Sequence, residues 1–366
     1  MPPIPAPAPD GLPRAALAAM AGRWSKRLKL TLGPTLGLAS ALILLLTAAH
    51  AQPVCRGTDL LPELAKSQPA LHARIMEAVR NDPNGGALLW KITDPSPTGP
   101  DQKVSWMLGT IHLTDARVHA LSPAVREALT AAKVLALEVD NIGPKAMQKA
   151  FSKNQNLLVL RDGRRLDKLL TASELKSLQA VSSRLGMPVS QAILLRPWFV
   201  TTMLSLPACE AARQEAGLKP LDSALQDRAA AQGTRVVGLE TIADQLAAMA
   251  SLPLETELAW LRATLMLYPR IEDQTETLLQ LYLQRRISAT WELSQGLSGA
   301  LALTAEQLQE VKQALVVRRN RHMRDAALPL LAKGGVFIGV GALHLPGRDG
   351  LVQLLRDKGY TVTAVE

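Results

Sequence analysis

Two distant segments repeat one design, an apolar run that meets Gly-x-x-His: Trp106-Met-Leu-Gly109-Thr-Ile-His112-Leu113 and Phe337-Ile-Gly-Val-Gly341-Ala-Leu-His344-Leu345. If each apolar run is a strand, the glycine lets the backbone turn sharply or approach a ligand closely. The imidazole three residues on then overhangs the sheet edge. Two further apolar runs end in a carboxylate, Glu138 in Ala-Leu-Glu-Val-Asp and Glu240 in Gly-Leu-Glu-Thr. Two imidazoles and two carboxylates suffice to hold a divalent ion with a position left for water, whose pKa then falls toward neutrality. Without a metal, a His/Glu pair can serve as general base and orienting group. Each residue also has a plainer explanation, a loop histidine or a carboxylate that caps the next helix. The repetition at one spacing favours a shared site. Arg318 and Asn320, in Val317-Arg-Arg-Asn320-Arg321, are candidates for holding an oxyanion or a substrate carboxylate, against the alternative of a solvated helix face. His72, His119 and His322 have no comparable setting and read as surface residues.

The elements that must position these groups alternate along the chain. Residues 60–80 read as helix, and residues 87–93 with 103–108 read as a β-hairpin across the breaker-rich stretch 94–100. Ser122-Pro123 gives the cap and first-turn signals of a helix through residue 132, and residues 134–139 form the next strand. Residues 143–232 are helical in pattern, with a cap at Thr171 and Glu174; residues 234–240 restore a short strand. Residues 243–295 are helical again, residues 304–331 read as one long helix, and residues 335–340 as a central strand covered on both faces. Residues 351–358, Gly359 and residues 360–365 close the chain as helix, C-cap and strand. The expected fold is α/β, mixed with α+β character. A central mixed sheet carries a large helical insertion, about residues 143–332, between the two Gly-x-x-His halves, with Gly109 and Gly341 as structural hinges of the turns.

The chain has 366 residues, 48% hydrophobic and 20% charged, a globular composition with ample material for a core. Its length admits two domains or one α/β unit with insertions. A net charge of +9 suggests nucleic acid at first sight. Yet Arg14, Arg23, Lys26, Arg27 and Lys29 all precede residue 52 with only Asp10 against them, which leaves 36 basic against 31 acidic residues elsewhere. Aromatic content of 3% offers no stacking platform, so no nucleic-acid partner is expected. The first residues read as an address: a Pro/Ala-rich start, the basic cluster Trp24-Ser-Lys-Arg-Leu-Lys29, an apolar run over 30–48, and small-x-small at Ala49-His50-Ala51. This pattern predicts a signal peptide over 1–51, cleaved before Gln52. The same apolar run is long enough to remain as an N-terminal membrane anchor. In both cases the body, residues 52–366, is exported to the periplasm or secreted. Cys55 and Cys209 both lie in that body. Either they form a disulfide closing a long loop, worth roughly 4 to 5 kcal/mol in the chain-entropy model, or they are two unrelated thiols.

Taken together, several motifs resemble the TraB/GumN family over about residues 55–366. They are the two Gly-x-x-His turns, Leu-Glu-Val-Asp, Val-Val-Gly-Leu-Glu-Thr with Gln245, Arg318/Asn320, and Gly-Val-Gly-Ala-Leu-His-Leu-Pro-Gly-Arg-Asp-Gly-Leu. Cys55 and the Leu221-Asp222 segment are similar to its exported GumN-like branch. The family includes the TIKI proteins, described as metal-dependent proteases that use the Gly-x-x-His histidines and an acidic residue. The resemblance therefore implies a metal role for His112, Glu138 and His344. Leu-Glu-Val-Asp stands where many members carry Glu-Ser-Asp. The leading expectation is an exported metal-dependent hydrolase, a peptidase first, acting on a peptide or other small substrate. A divalent ion (Mn, Co or Zn) is held by His112, Glu138 and His344, with Glu240 as base or extra ligand and Arg318 on the oxyanion. Two alternatives stand beside it, a metal-free esterase-like hydrolase using His and Glu, and a non-catalytic protein holding haem or another ligand beneath the helical insert.

Overall fold

The computed structural model describes residues 53–94, 102–184 and 186–366. The expected signal peptide, its cleavage site before Gln52 and residues 95–100 of the hairpin loop lie outside the described residues.

Six strands form one mixed sheet: β1 (Leu89–Thr93), β2 (Val104–Thr110), β3 (Val134–Leu137), β4 (Arg235–Gly238), β5 (Val336–Gly341) and β6 (Thr361–Ala364). Their order across the sheet is β4-β3-β5-β2-β1-β6. β1 and β2 make the expected antiparallel hairpin, and β6 runs antiparallel along the outer edge of β1. The pairs β2/β5, β5/β3 and β3/β4 are parallel. β5 lies between two parallel neighbours and is apolar at successive positions because both of its faces are covered. Val336, Ile338 and Val340 pack with Met323, Leu331 and Val352 on one side, while Phe337 packs with Leu129, Leu135 and Leu225 on the other. The fold is thus the α/β mixed sheet that the alternation of elements predicts.

Local signals explain the helix ends. Ser122 accepts a hydrogen bond from the Val125 N–H ahead of Pro123, and Thr171 and Glu174 cap each other reciprocally. Two expected helices differ in detail. The stretch 60–80 is two helices, Leu61–Ser67 and Pro69–Asn81, since Pro69 lacks the N–H that would continue the first. The long helix after Thr304 is Ala305–Lys312 and Arg318–Leu331 joined by a π-helical turn, Gln313–Val317. The helical insert has its own core, including Leu178, Leu195, Trp198, Leu204 and Leu261, and also contributes β4 to the sheet. Cys55 and Cys209 form a disulfide, which ties the segment ahead of the first helix to the helix Ala208–Glu215. No helix among the described residues is long and apolar enough to cross a membrane.

Candidate functional site

The four parallel strands β2, β3, β4 and β5 end at one edge of the sheet, and His112, Glu138, Glu240 and His344 each follow one of those ends. Ligands of open α/β sheets sit at this edge. Thr110 lies opposite Gly341 in the β2/β5 register, so the two Gly-x-x-His turns leave neighbouring strands one residue out of step. Gly341 marks where the side chains converge. A Cβ there would stand 3.1 Å from Glu138 Oε1, 3.6 Å from His344 Cδ2 and 4.0 Å from His112 Nε2. Gly109 serves packing between the turns, since a Cβ on it would come within 2.7 Å of Leu345 Cδ1.

Each imidazole is fixed from behind. His112 Nδ1 is 2.7 Å from Asp222 Oδ2, and the other oxygen of Asp222 accepts from the Thr110 hydroxyl at 2.5 Å. His344 Nδ1 is 2.6 Å from Asn320 Oδ1, while Asn320 Nδ2 donates to the carbonyls of His344 and Asp349. Because the Asn320 amide donates through nitrogen, its oxygen must accept. The network therefore assigns the proton of neutral His344 to Nδ1 and leaves an Nε2 lone pair 3.6 Å from Glu138 Oε1. Glu138 Oε1 accepts from the Gly341 N–H at 2.7 Å, and Oε2 accepts from Arg319 at 2.5 Å and from Gln245 at 3.2 Å. Arg319 forks onto both oxygens of Glu240 through its Nε and onto Oε1 through its Nη2, and Gln245 also donates to Glu240.

These contacts set opposite charge states on the two histidines. The Asp222 carboxylate beside His112 outweighs partial burial and pushes its pKa up to about 9. Burial dominates at His344 and pushes it down to about 4. Burial alone would raise Glu138, but His344, Arg319 and His112 around it, with the Gly341 N–H, hold it down at about 2. Asp222 shows the same balance: burial raises it, and His112 and Thr110 pull it below the usual carboxylate range. At neutral pH the site thus presents an imidazolium at His112, a neutral base at His344 and an ionised Glu138 between them.

A cavity of about 270 Å³ opens over these groups, lined on its polar side by Thr110, His112, Glu138, Arg319 and His344. His112 stands at its mouth with 65% of its side chain exposed, and His344 at its floor with 6%. The structure thus brings His112, Glu138 and His344 together and moves three other candidates out of the cavity. Glu240 lies behind Arg319 and lines a neighbouring groove. Arg318 points into that groove and donates to the Ser251 hydroxyl at 2.6 Å, so it is Arg319 that lines the cavity. Asn320 is fully buried with its amide committed to His344 and two carbonyls, which makes it a positioning group rather than an oxyanion donor. Arg319 and Asp222 are the additions. Arg319 is the chain neighbour of the arginine that the sequence singles out, and Asp222, in the first turn of the helix Leu221–Ala231, belongs to a segment marked in the sequence only by its likeness to the exported branch and given no site role.

No group of three or more His, Cys, Asp or Glu side chains among the described residues is gathered as a ready metal site. The donor chemistry nonetheless suits a divalent ion. Nδ1 of each imidazole is anchored, the arrangement that orients metal-binding histidines; His344 Nε2 is a free electron-pair donor, and His112 Nε2 becomes one when its proton leaves. With both rings neutral, the carboxylates of Glu138, Asp222 and Glu240 face the one guanidinium of Arg319, an excess of two negative charges that a divalent cation would balance.

The TraB/PrgY/gumN family model matches residues 88–364 of the chain. No curated protein and no solved structure matches it.

Proposed function

Because the chain belongs to the TraB/PrgY/gumN family, we propose that it is an exported hydrolase, a peptidase in the leading reading, whose divalent ion is held by His112, Glu138 and His344. The observation that carries this reading is the pair of imidazoles with Nδ1 fixed by Asp222 and Asn320 and Nε2 directed at the space beside Glu138 Oε1. A bound divalent ion supplies there a water of lowered pKa and polarises the carbonyl under attack. The protein's own part is to hold the ligands still, to keep Glu138 ionised, and to present the Arg319 guanidinium beside the developing negative charge. Glu240 and Gln245 hold Arg319 and Glu138 in register. The Cys55–Cys209 disulfide supports an oxidising, extracytoplasmic compartment. At about 270 Å³ the cavity lies at the lower end of ordinary ligand pockets, roughly 300 to 1,000 Å³, which favours a small group over haem.

A second reading rests on the charge states. A protonated His112 and a neutral His344 flanking one cavity are an acid and a base ready for metal-free hydrolysis. Elemental analysis of the purified protein, beside His112→Ala and His344→Ala, separates the two. The metal reading expects about one equivalent of divalent ion in the wild type, loss of it in both variants, and peptide hydrolysis that stops on chelation. Metal-free protein that still hydrolyses ester or peptide probes selects the second reading. Neither metal nor hydrolysis overturns both.

A further inference from the structure

The cavity is lined by two unlike sets of side chains. Beside His112, Glu138 and His344, its lining includes Ile111, Leu278, Trp291, Leu315, Val316 and Leu343. All six are half-buried, although each would be covered in an ordinary core. They come from separate parts of the chain. Ile111 and Leu343 are the residues immediately before the two histidines, so each Gly-x-x-His turn supplies a polar group and an apolar neighbour. Leu278 and Trp291 come from the helices Ile271–Leu283 and Thr290–Ser298, and Leu315 and Val316 from the π-helical turn. Scattered apolar side chains on a surface mean nothing, but a concave cluster of them facing polar groups is how ligand pockets are built. The polar groups of the lining already have partners: Glu138 with Arg319, His112 with Asp222, His344 with Asn320. A carboxylate entering among the six apolar side chains would lose its water, and the cations that line the cavity, Arg319 and His112, are already paired with Glu138, Glu240 and Asp222.

Resting on the hydrolase reading, we infer that this site selects a bulky apolar group, of the size of a leucine or phenylalanine side chain, next to the bond it cleaves, and rejects an acidic group in that position. A volume of about 270 Å³ has room for one such group beside the reacting carbonyl. The Lys312 ammonium lies 5.3 Å from the Trp291 ring centroid and is not among the residues that line the cavity.

Binding and turnover are measured separately to test this. N-acetyl-leucinamide, N-acetyl-phenylalaninamide, N-acetyl-alaninamide and N-acetyl-aspartic acid amide are titrated into the purified protein by ligand-observed NMR. The leucine and phenylalanine amides are expected to bind at least about 10-fold more tightly than the alanine amide, with the aspartic acid amide weakest. Val316→Asp is expected to abolish the preference with its thermal transition unchanged; if that variant fails to fold, Leu343→Ala, a pure truncation, is expected to weaken only the two apolar amides. Equal binding of all four amides, or binding of none up to millimolar concentration, overturns the inference. Apolar binding without hydrolysis of any peptide leaves the selective pocket standing and overturns the catalytic reading on which it was built. Hydrolysis indifferent to the neighbouring side chain does the reverse.

Discussion

The Asp222 carboxylate behind His112 and the Asn320 amide behind His344 give two identical side chains different proton affinities, because only the first partner is charged and only the second ring lies at the cavity floor. Asp222→Asn keeps a hydrogen-bonding oxygen beside His112 and removes the charge. The His112 pKa is then expected to fall from about 9 toward the ordinary 6.5, while His344 stays near 4, as followed by NMR titration of the ring protons. A variant still titrating near 9 would show that Asp222 is not the cause. The same pair shapes stability. His112 is raised on folding, so its contribution is complete below 6.5 and is lost as the pH climbs through about 9. Asp222 is lowered, so its contribution is present above its unfolded value of 3.8 and is lost on further acidification. The alkaline limb should vanish from the unfolding free energy of Asp222→Asn. Gly341→Ala tests the convergence point directly. Its methyl would stand 3.1 Å from Glu138 Oε1 in the space between the three groups, so hydrolysis or metal uptake should drop at least 10-fold while the circular dichroism stays native.

At the scale of elements, the strands were legible because burial imposes a visible pattern: β5 is apolar throughout, and the strand ends announce themselves with Gly-x-x-His or a carboxylate. What stayed hidden was phase and distance. Helical spacing finds the long helix after Thr304, yet a π-helical turn at Gln313–Val317 shifts every later residue around the axis. The inward arginine is therefore Arg319 and not Arg318, one position from the expected residue. Asp222 was invisible as a site residue for another reason: its partner lies 110 positions earlier, and only the fold brings them together. The same segment explains what the disulfide does. Cys209 is followed at once by buried Glu210, which accepts from the Thr114 N–H at 2.7 Å and from the Thr114 hydroxyl at 3.0 Å. Residues 208–222 thus grip the His112 turn from both ends, at Thr114 and at Asp222. Cys55→Ser/Cys209→Ser is expected to lose about 2 to 5 kcal/mol in urea unfolding and to broaden the His112 signals. Reductant should reproduce both effects in the wild type and leave the double variant unchanged.

For the molecule as a whole, the strand ends supply His112, Glu138 and His344 and the insert supplies the groups that hold them: Asp222, Gln245, Arg319 and Asn320 all come from between β3 and β5. The strongest of these links is Arg319, which spans Glu138 and Glu240 where they are nearly buried. Burial opposes its charge, and the two carboxylates more than compensate. Arg319→Leu leaves both acids without a cation, and removing one partner of a buried ion pair costs about 3 to 5 kcal/mol. Urea unfolding in the presence of a chelator should show that loss. The guanidinium also competes with any metal for Glu138, since it holds Oε2 at 2.5 Å. If a divalent ion belongs at Glu138, adding Mn or Zn should restore more stability to Arg319→Leu than it adds to the wild type, because the ion then neutralises charge that nothing else opposes. Were neither protein stabilised, Arg319 would itself be the permanent counter-cation of the site, and any hydrolysis would fall to the imidazolium of His112 with the free base of His344.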